Sequence, residues 1–173
     1  MKLSLIRSLW LLLPGLLASG VLYAIELDGV VPGHWLELRG RMDGQGVFQV
    51  ERVDLVEPEM EEVLIGTIPG PLESGEFTLL GQPVQVSHKT TFSKVSVTDL
   101  ANERVKVEGH FRGSKRFSAR KVSARGPGRE RLAGPVTDIR KVKDGYRVTV
   151  MNRDIHLPAD VDFRHDKPVE EYA

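Results

Sequence analysis

Apolar and polar positions alternate along most of this chain. The period-two pattern is clear in Trp35–Leu38, Phe77–Leu79, Val84–Val86, Val105–Val107, Val148–Val150 and Ile155–Leu157. It predicts half-buried β-strands, because successive side chains of a strand point to opposite faces of the sheet. Between these runs stand Asp43-Gly44, Leu80-Gly81-Gln82-Pro83, Arg112-Gly113 and Asp144-Gly145, which have the composition of hairpin tips. After Ile25 no apolar 3.6-residue pattern is long enough for a substantial helix. Val95 to Asn102 has room for one turn.

The pattern also recurs. Gly33-His34-Trp35-Leu36-Glu37-Leu38-Arg39-Gly40, then Phe48, Val50, Val53 and Leu55, matches Asn102-Glu103-Arg104-Val105-Lys106-Val107-Glu108-Gly109, then Phe117, Ala119, Val122 and Ala124, without a gap. We term this the late block; it occupies about 30–57 and 99–125. An early block runs from Leu64-Ile65-Gly66-Thr67-Ile68 to Phe92 and again from Leu132-Ala133-Gly134-Pro135-Val136 to Phe163. Internal repetition means one supersecondary unit used more than once. Both late blocks step by three residues, from Val50 to Val53 and from Ala119 to Val122. That step switches faces and predicts bulges near Glu51-Arg52 and Arg120-Lys121. Gly33 and Asn102 hold equivalent places before their strands, and both residue types tolerate positive φ.

An early block followed by a late block supplies five short strands, enough to close a small OB-like barrel. The expected fold is therefore all-β, with two small OB-like five-stranded β-barrel units after an N-terminal signal helix. Residues 62–125 hold one complete unit. Residues 25–61 hold an N-terminal half-block and 126–173 a C-terminal half-block and tail. Two or three strands alone are marginal in water, so 25–61 is expected to pair with 131–163 and form the second unit in permuted order.

Residues 1–24 stand apart. Lys2 and Arg7 precede an uncharged run from Ser8 to Ile25, and Leu22-Tyr23-Ala24 ends on a small residue. This is the order of a secretory signal. It predicts a periplasmic or secreted protein; the alternative is an uncleaved inner-membrane anchor facing the periplasm, the one route by which this chain would meet a membrane. The chain has no cysteine, so an exported domain must be held by its core rather than by disulfides.

Glu62-Val63-Leu64-Ile65-Gly66-Thr67-Ile68, Phe77-Thr78-Leu79, Val84-Gln85-Val86, Thr91-Phe92, Asp99-Leu100, Val105-Lys106-Val107-Glu108-Gly109 and Phe117-Ser118-Ala119-Arg120-Lys121-Val122 resemble the domain of unknown function 5666, DUF5666. The resemblance covers about 62–125 well and the flanking half-blocks more weakly. It implies an exported bacterial protein with OB-like β-units, often in tandem, and it implies no activity and no catalytic residues. The chain departs from the family pattern at Asn102-Glu103, where a Gly usually precedes the Val-x-Val strand.

Charge divides along the chain. From Glu26 to Glu76 twelve acidic residues face three basic ones, whereas His110 to Lys143 carries eleven Lys and Arg against Glu130 and Asp138. Such asymmetry has two outlets: the halves pair within the molecule, or the basic half meets a polyanion. The candidate polyanion surface is Arg112, Lys115, Arg116, Arg120 and Lys121. Arg116, Ser118 and Arg120 alternate with Phe117 and Ala119 and so fall on the outer face of their strand. The partner it would suit is lipopolysaccharide or an acidic polysaccharide of the envelope. Nucleic acid is disfavoured, since Phe77, Phe92, Phe117 and Phe163 fall on core positions and leave few aromatics for base stacking.

No residues are assigned as catalytic, cofactor-binding or metal-ligating, and no cofactor is implied. His34, His88, His110, His156 and His165 show no zinc spacing, and no Gly-x-Ser-x-Gly, phosphate loop or dinucleotide fingerprint occurs. The expectation is a non-enzymatic periplasmic or envelope binding or assembly module of unknown ligand. The alternatives are a small-ligand or metal carrier on an OB-like fold, and a polyanion binder acting through the basic strand.

Overall fold

The computed structural model describes residues 27–113 and 116–172. The expected leader over 1–24 and the candidate residue Lys115 lie outside the described residues. No described helix is long and apolar enough to cross a membrane. The chain is all-β. In chain order the strands are β1 Trp35–Met42, β2 Phe48–Val56, β3 Glu62–Thr67, β4 Glu76–Leu79, β5 Gln82–Gln85, β6 Thr91–Ser93, β7 Arg104–Phe111, β8 Phe117–Ala124, β9 Glu130–Val142, β10 Gly145–Val150, β11 Arg153–Pro158 and β12 Asp162–Arg164. A single 3-10 turn, Val169–Tyr172, follows.

All twelve strands join one open sheet. Its order is β12-β2-β1-β9-β3-β7-β8-β5-β4, with the β10–β11 hairpin on β9 and β6 on β8. No ladder joins β3 to β4, so hydrogen bonds do not close β3 to β8 into a ring. The Pro69-Gly70-Pro71 segment separates these two strands, and proline cannot continue a ladder. The edge of β3 at Val63–Ile65 is instead taken by β9.

The ladders that the two halves share have equal registers, although β9 pairs with β10 whereas β3 does not pair with β4. β7 lies on β3 with Arg104 opposite Thr67 and Val105 opposite Gly66. β1 lies on β9 with Trp35 opposite Pro135 and Leu36 opposite Gly134. The β1–β2 ladder slips between Arg39 and Gly40, leaving Glu51 unpaired, and the β7–β8 ladder slips between Glu108 and Gly109, leaving Arg120 unpaired. These are the bulges that the broken alternation requires. A Cβ on Gly40 would fall on the Gln49 carbonyl oxygen, and one on Gly109 on that of Ser118, so only glycine fits beside the bulged strand. Gly33 and Asn102 have φ of 103° and 65°, the left-handed turn expected at both.

The β4–β5 turn, Leu80-Gly81, and the β10–β11 turn, Met151-Asn152, both have positive φ at their two central residues, as two-residue hairpin turns of the right twist require. Leu80 and Met151 are unusual there. A left-handed conformation costs an ordinary side chain roughly 1–2 kcal/mol. Both side chains are only 3% exposed, and burying them returns about 1.5–3 kcal/mol. They lie over Gly66 of β3 and Gly134 of β9 in turn: a Cβ at Gly66 would sit 2.8 Å from Leu80 Cδ2, and one at Gly134 would sit 3.0 Å from Met151 Cε.

One apolar cluster runs through the molecule. Leu36, Leu38, Val53, Leu64, Val105, Val107, Phe117, Leu132, Val148 and Leu157 are among its fully buried members. On the opposite face of the sheet Val63, Ile65 and Ala133 form a small second cluster over the β3–β9 seam. Leu64 and Leu132 face each other across that seam.

Candidate arginine cleft at the seam

The outer face of the sheet at the seam is built from cross-strand rows. Arg39 of β1 lies opposite Arg131 of β9, Arg131 opposite Ile65 of β3, and Ile65 opposite Lys106 of β7. Like charges directly opposite one another destabilise a sheet. Glu37, two residues before Arg39 and only 4% exposed, binds both Arg39 and Arg131 through its two carboxylate oxygens. Asp54 of β2 approaches Arg39 at 3.7 Å. Burial raises the Asp54 carboxyl above its ordinary range, and Arg39 only partly opposes this.

A cleft of about 570 Å³ opens on these rows, lined by Arg39, Arg104, Arg125, Arg129 and Arg131, with Ile65 in its wall and the Gly126-Pro127-Gly128 loop at its rim. Arg104 fixes that loop: its Nη1 donates to the Gly126 carbonyl at 2.8 Å and its Nη2 to the Arg129 carbonyl. Arg129 pairs with Glu51. The Arg125 guanidinium makes no ion pair among the described residues, and Glu108, whose carboxylate it influences through space, is bonded to Lys106. Burial acts to raise Glu108, but the Lys106 bond and charge, helped by Lys121 and Arg125, hold it below its ordinary value. The Nε of Arg104 and the Nε of Arg131 are buried with no hydrogen-bond partner. An unsatisfied buried donor costs roughly 1–3 kcal/mol.

The residues singled out from the basic strand lie elsewhere. Arg116 pairs with Glu76 at 3.2 Å and Arg120 with Glu61; the bond to Glu61 raises the Arg120 guanidinium further above its ordinary value. Arg112 is exposed beside the β7–β8 turn, and Lys121 lies across from Glu108. The charge split along the chain is therefore partly closed within the molecule, with Arg129–Glu51, Arg131–Glu37 and Lys141–Asp28 adding to those two pairs. Sequence reasoning missed Arg39 and Arg104, because both lie outside the basic run from His110 to Lys143 and only the ladder registers bring them to Arg131. Arg125, Arg129 and Arg131 belong to the basic run but not to its alternating strand; their spacing around Gly126-Pro127-Gly128 was the available signal.

The histidines do not gather. His34 is buried beside the Val31 amide, His110 pairs with Glu62 at 3.3 Å and His156 with Asp144 at 3.6 Å. Among the described residues no group of three or more His, Asp or Glu side chains is placed to hold a metal ion.

Residues 66–123 match the family model described as Domain of unknown function (DUF5666). This segment belongs to the DUF5666 family. The DUF5666 match runs from Gly66 near the end of β3 to Ser123 near the end of β8. It includes Arg104 but none of the other four cleft arginines. No curated protein and no solved structure matches the chain.

Proposed function

We propose that this protein is a non-enzymatic binding module of the bacterial cell envelope, exported by its N-terminal leader and built from two OB-like units. The first unit is β3 to β8; the second is β9 to β12 followed by β1 and β2. The equal registers, the paired bulges and the paired turn-over-glycine contacts support this division. The DUF5666 segment lies within the first unit.

The ligand is an acidic envelope polymer. The observation that carries this reading is the convergence of arginines from both units on one outer face at their seam, with Arg39 and Arg131 side by side. OB-type surfaces bind polymers on strand faces, and a focused positive field raises the local concentration of anions. A metal carrier has no comparable gathering of side chains behind it among the described residues.

Titration of the protein with lipopolysaccharide and with an acidic polysaccharide tests the reading. Binding is expected, and it should weaken steeply as salt rises, because exposed charges are screened beyond about 10 Å at 0.1 M. Replacing both Arg116 and Arg120 by Glu should lower the melting temperature, since each has an acidic partner, and should leave most of the binding in place. Binding to neither polymer at low salt would overturn the reading.

A further inference from the structure

We propose that the cleft at the seam is an open surface site for a phosphate monoester, the anionic group through which the module holds its ligand. This rests on the binding-module reading. Five guanidiniums line the cleft, and three carboxylates contact them: Glu37, Glu51 and Asp54. The excess is at least two positive charges, since Glu51 also pairs with Arg41 at 3.2 Å. A phosphate monoester carries about −1.5 to −2 near neutral pH, so it would balance the site, whereas a single carboxylate would leave it half neutralised.

Donor geometry points the same way. Guanidiniums present planar forks of N–H groups that match phosphate oxygens. Glu37 already occupies Arg39 and Arg131 from within the sheet, and the Nε atoms of Arg131 and Arg104 are buried, so the forks that face the ligand are those of the exposed Arg125 and Arg129. Arg125 is free of ion pairs among the described residues and stands at the start of the glycine-proline loop. The cleft volume lies within the ordinary range for small-ligand sites, roughly 300–1,000 Å³, and exceeds what one phosphate fills. It can take the sugar or lipid portion that carries the phosphate. Arg39 and Arg131 come from the second unit and Arg104 from the first, so the site exists only where the two units meet.

The carboxylate of Glu37 competes with the ligand for the same two arginines. The proposal therefore makes predictions of opposite sign. Arg125→Glu should weaken affinity at least tenfold, and Glu37→Gln should strengthen it several-fold. Arg140→Glu, on β9 beyond the cleft, should change nothing.

The experiment is a titration of the protein, followed by the arginine Nε–H signals in nuclear magnetic resonance spectra. The probes are inorganic phosphate, glucose 6-phosphate, and vesicles containing phosphatidic acid, with sodium chloride at equal ionic strength as the control. The Nε–H signals of Arg125 and Arg129, the exposed arginines of the cleft, should move with phosphate and glucose 6-phosphate and stay in place with chloride. Tighter binding of glucose 6-phosphate than of the vesicles identifies a sugar phosphate as the source; the reverse identifies a lipid headgroup. Equal shifts with chloride, or unchanged affinity in Arg125→Glu, would overturn the proposal. The Nε–H shifts of the unaltered protein decide the matter if either cleft variant fails to fold. Acidic polysaccharide binding that survives Arg125→Glu would remove the cleft and leave the module reading standing. Glucose 6-phosphate binding without any polymer binding would do the opposite.

Discussion

A glycine in a strand interior weakens it unless something fills the space it leaves. Gly66 and Gly134 show what fills it: the side chains of Leu80 and Met151, each held in a left-handed turn and folded down onto the strand. The contact is tighter and less adaptable at Gly66, where Leu80 Cδ2, Leu79 Cδ1 and Leu80 Cγ all lie within 3.3 Å of a built Cβ. At Gly134 the nearest atom is the end of an unbranched methionine, which can swing aside. Gly66→Ala should therefore cost about 1–3 kcal/mol, the usual penalty of overpacking, and Gly134→Ala should cost less. Urea denaturation midpoints of the two variants measure this, and the reverse order would contradict the account. Part of this was visible in the sequence. Each early block carries a glycine in its opening strand, and Leu80-Gly81 reads as a turn. Met151-Asn152 did not, because methionine has no intrinsic preference for positive φ and only its burial makes the conformation favourable.

Elements show why the strands were legible and their pairing less so. Alternation located the runs around Trp35, Phe77, Val84, Val105, Val148 and Ile155, and the three-residue steps located the bulges at Glu51 and Arg120. Nothing in the alternation announced β6 and β12. Each has three residues, and each is held by parallel pairing to the bulged strand, Phe92 opposite Val122 and Phe163 opposite Val53. The arginine cleft was illegible for the same reason: it is a product of register across four strands. β12 also has an electrostatic tie. Asp162 accepts from Arg164 and from Arg52 of β2, and these bonds, the Arg164 one first, hold its carboxyl below its ordinary value of 3.8. A depressed folded-state value means the contribution is fully present above pH 3.8 and is lost as pH falls through the folded value. Amide protection of β12 should thus be flat from neutral pH down to about pH 4 and then decline below it. Asp162→Asn should remove the part of that decline that belongs to this carboxylate. Equal acid sensitivity of β12 in the two proteins would show that the tie contributes nothing.

For the whole molecule, the order of strands along the chain and their order in space disagree, and the disagreement has a simple form. β1 and β2 come first in sequence but complete the sheet around β9 to β12, which come last. Hydrophobic patterning cannot reveal this directly, because a half-block has the same pattern wherever its partner lies. The ends of the described chain are adjacent: a Cβ on Gly29 would sit 2.9 Å from Val169 Cγ1. The fold therefore permits another chain order. Residue 172 can be joined to residue 27 by a short flexible linker, and the chain can be opened within Gly126-Pro127-Gly128. Both units would then read from their opening strand to their bulged strand in the same sequence. Opening a surface loop and closing a short linker changes loop entropy slowly, about 0.6 kcal/mol per doubling of length. Strand pairing and core are untouched. The permuted protein should fold to the same β-sheet signature in circular dichroism and melt within about 4 °C of the original, given the roughly 2–4 °C per kcal/mol expected at this size. Its phosphate response should be weaker, because Arg125 and Arg129 are no longer held on one continuous loop. A permutant that folds and melts normally supports the two-unit architecture. One that remains unfolded would show that the order from β1 to β12 is itself required, and that the equal registers of the two halves do not make them interchangeable in sequence.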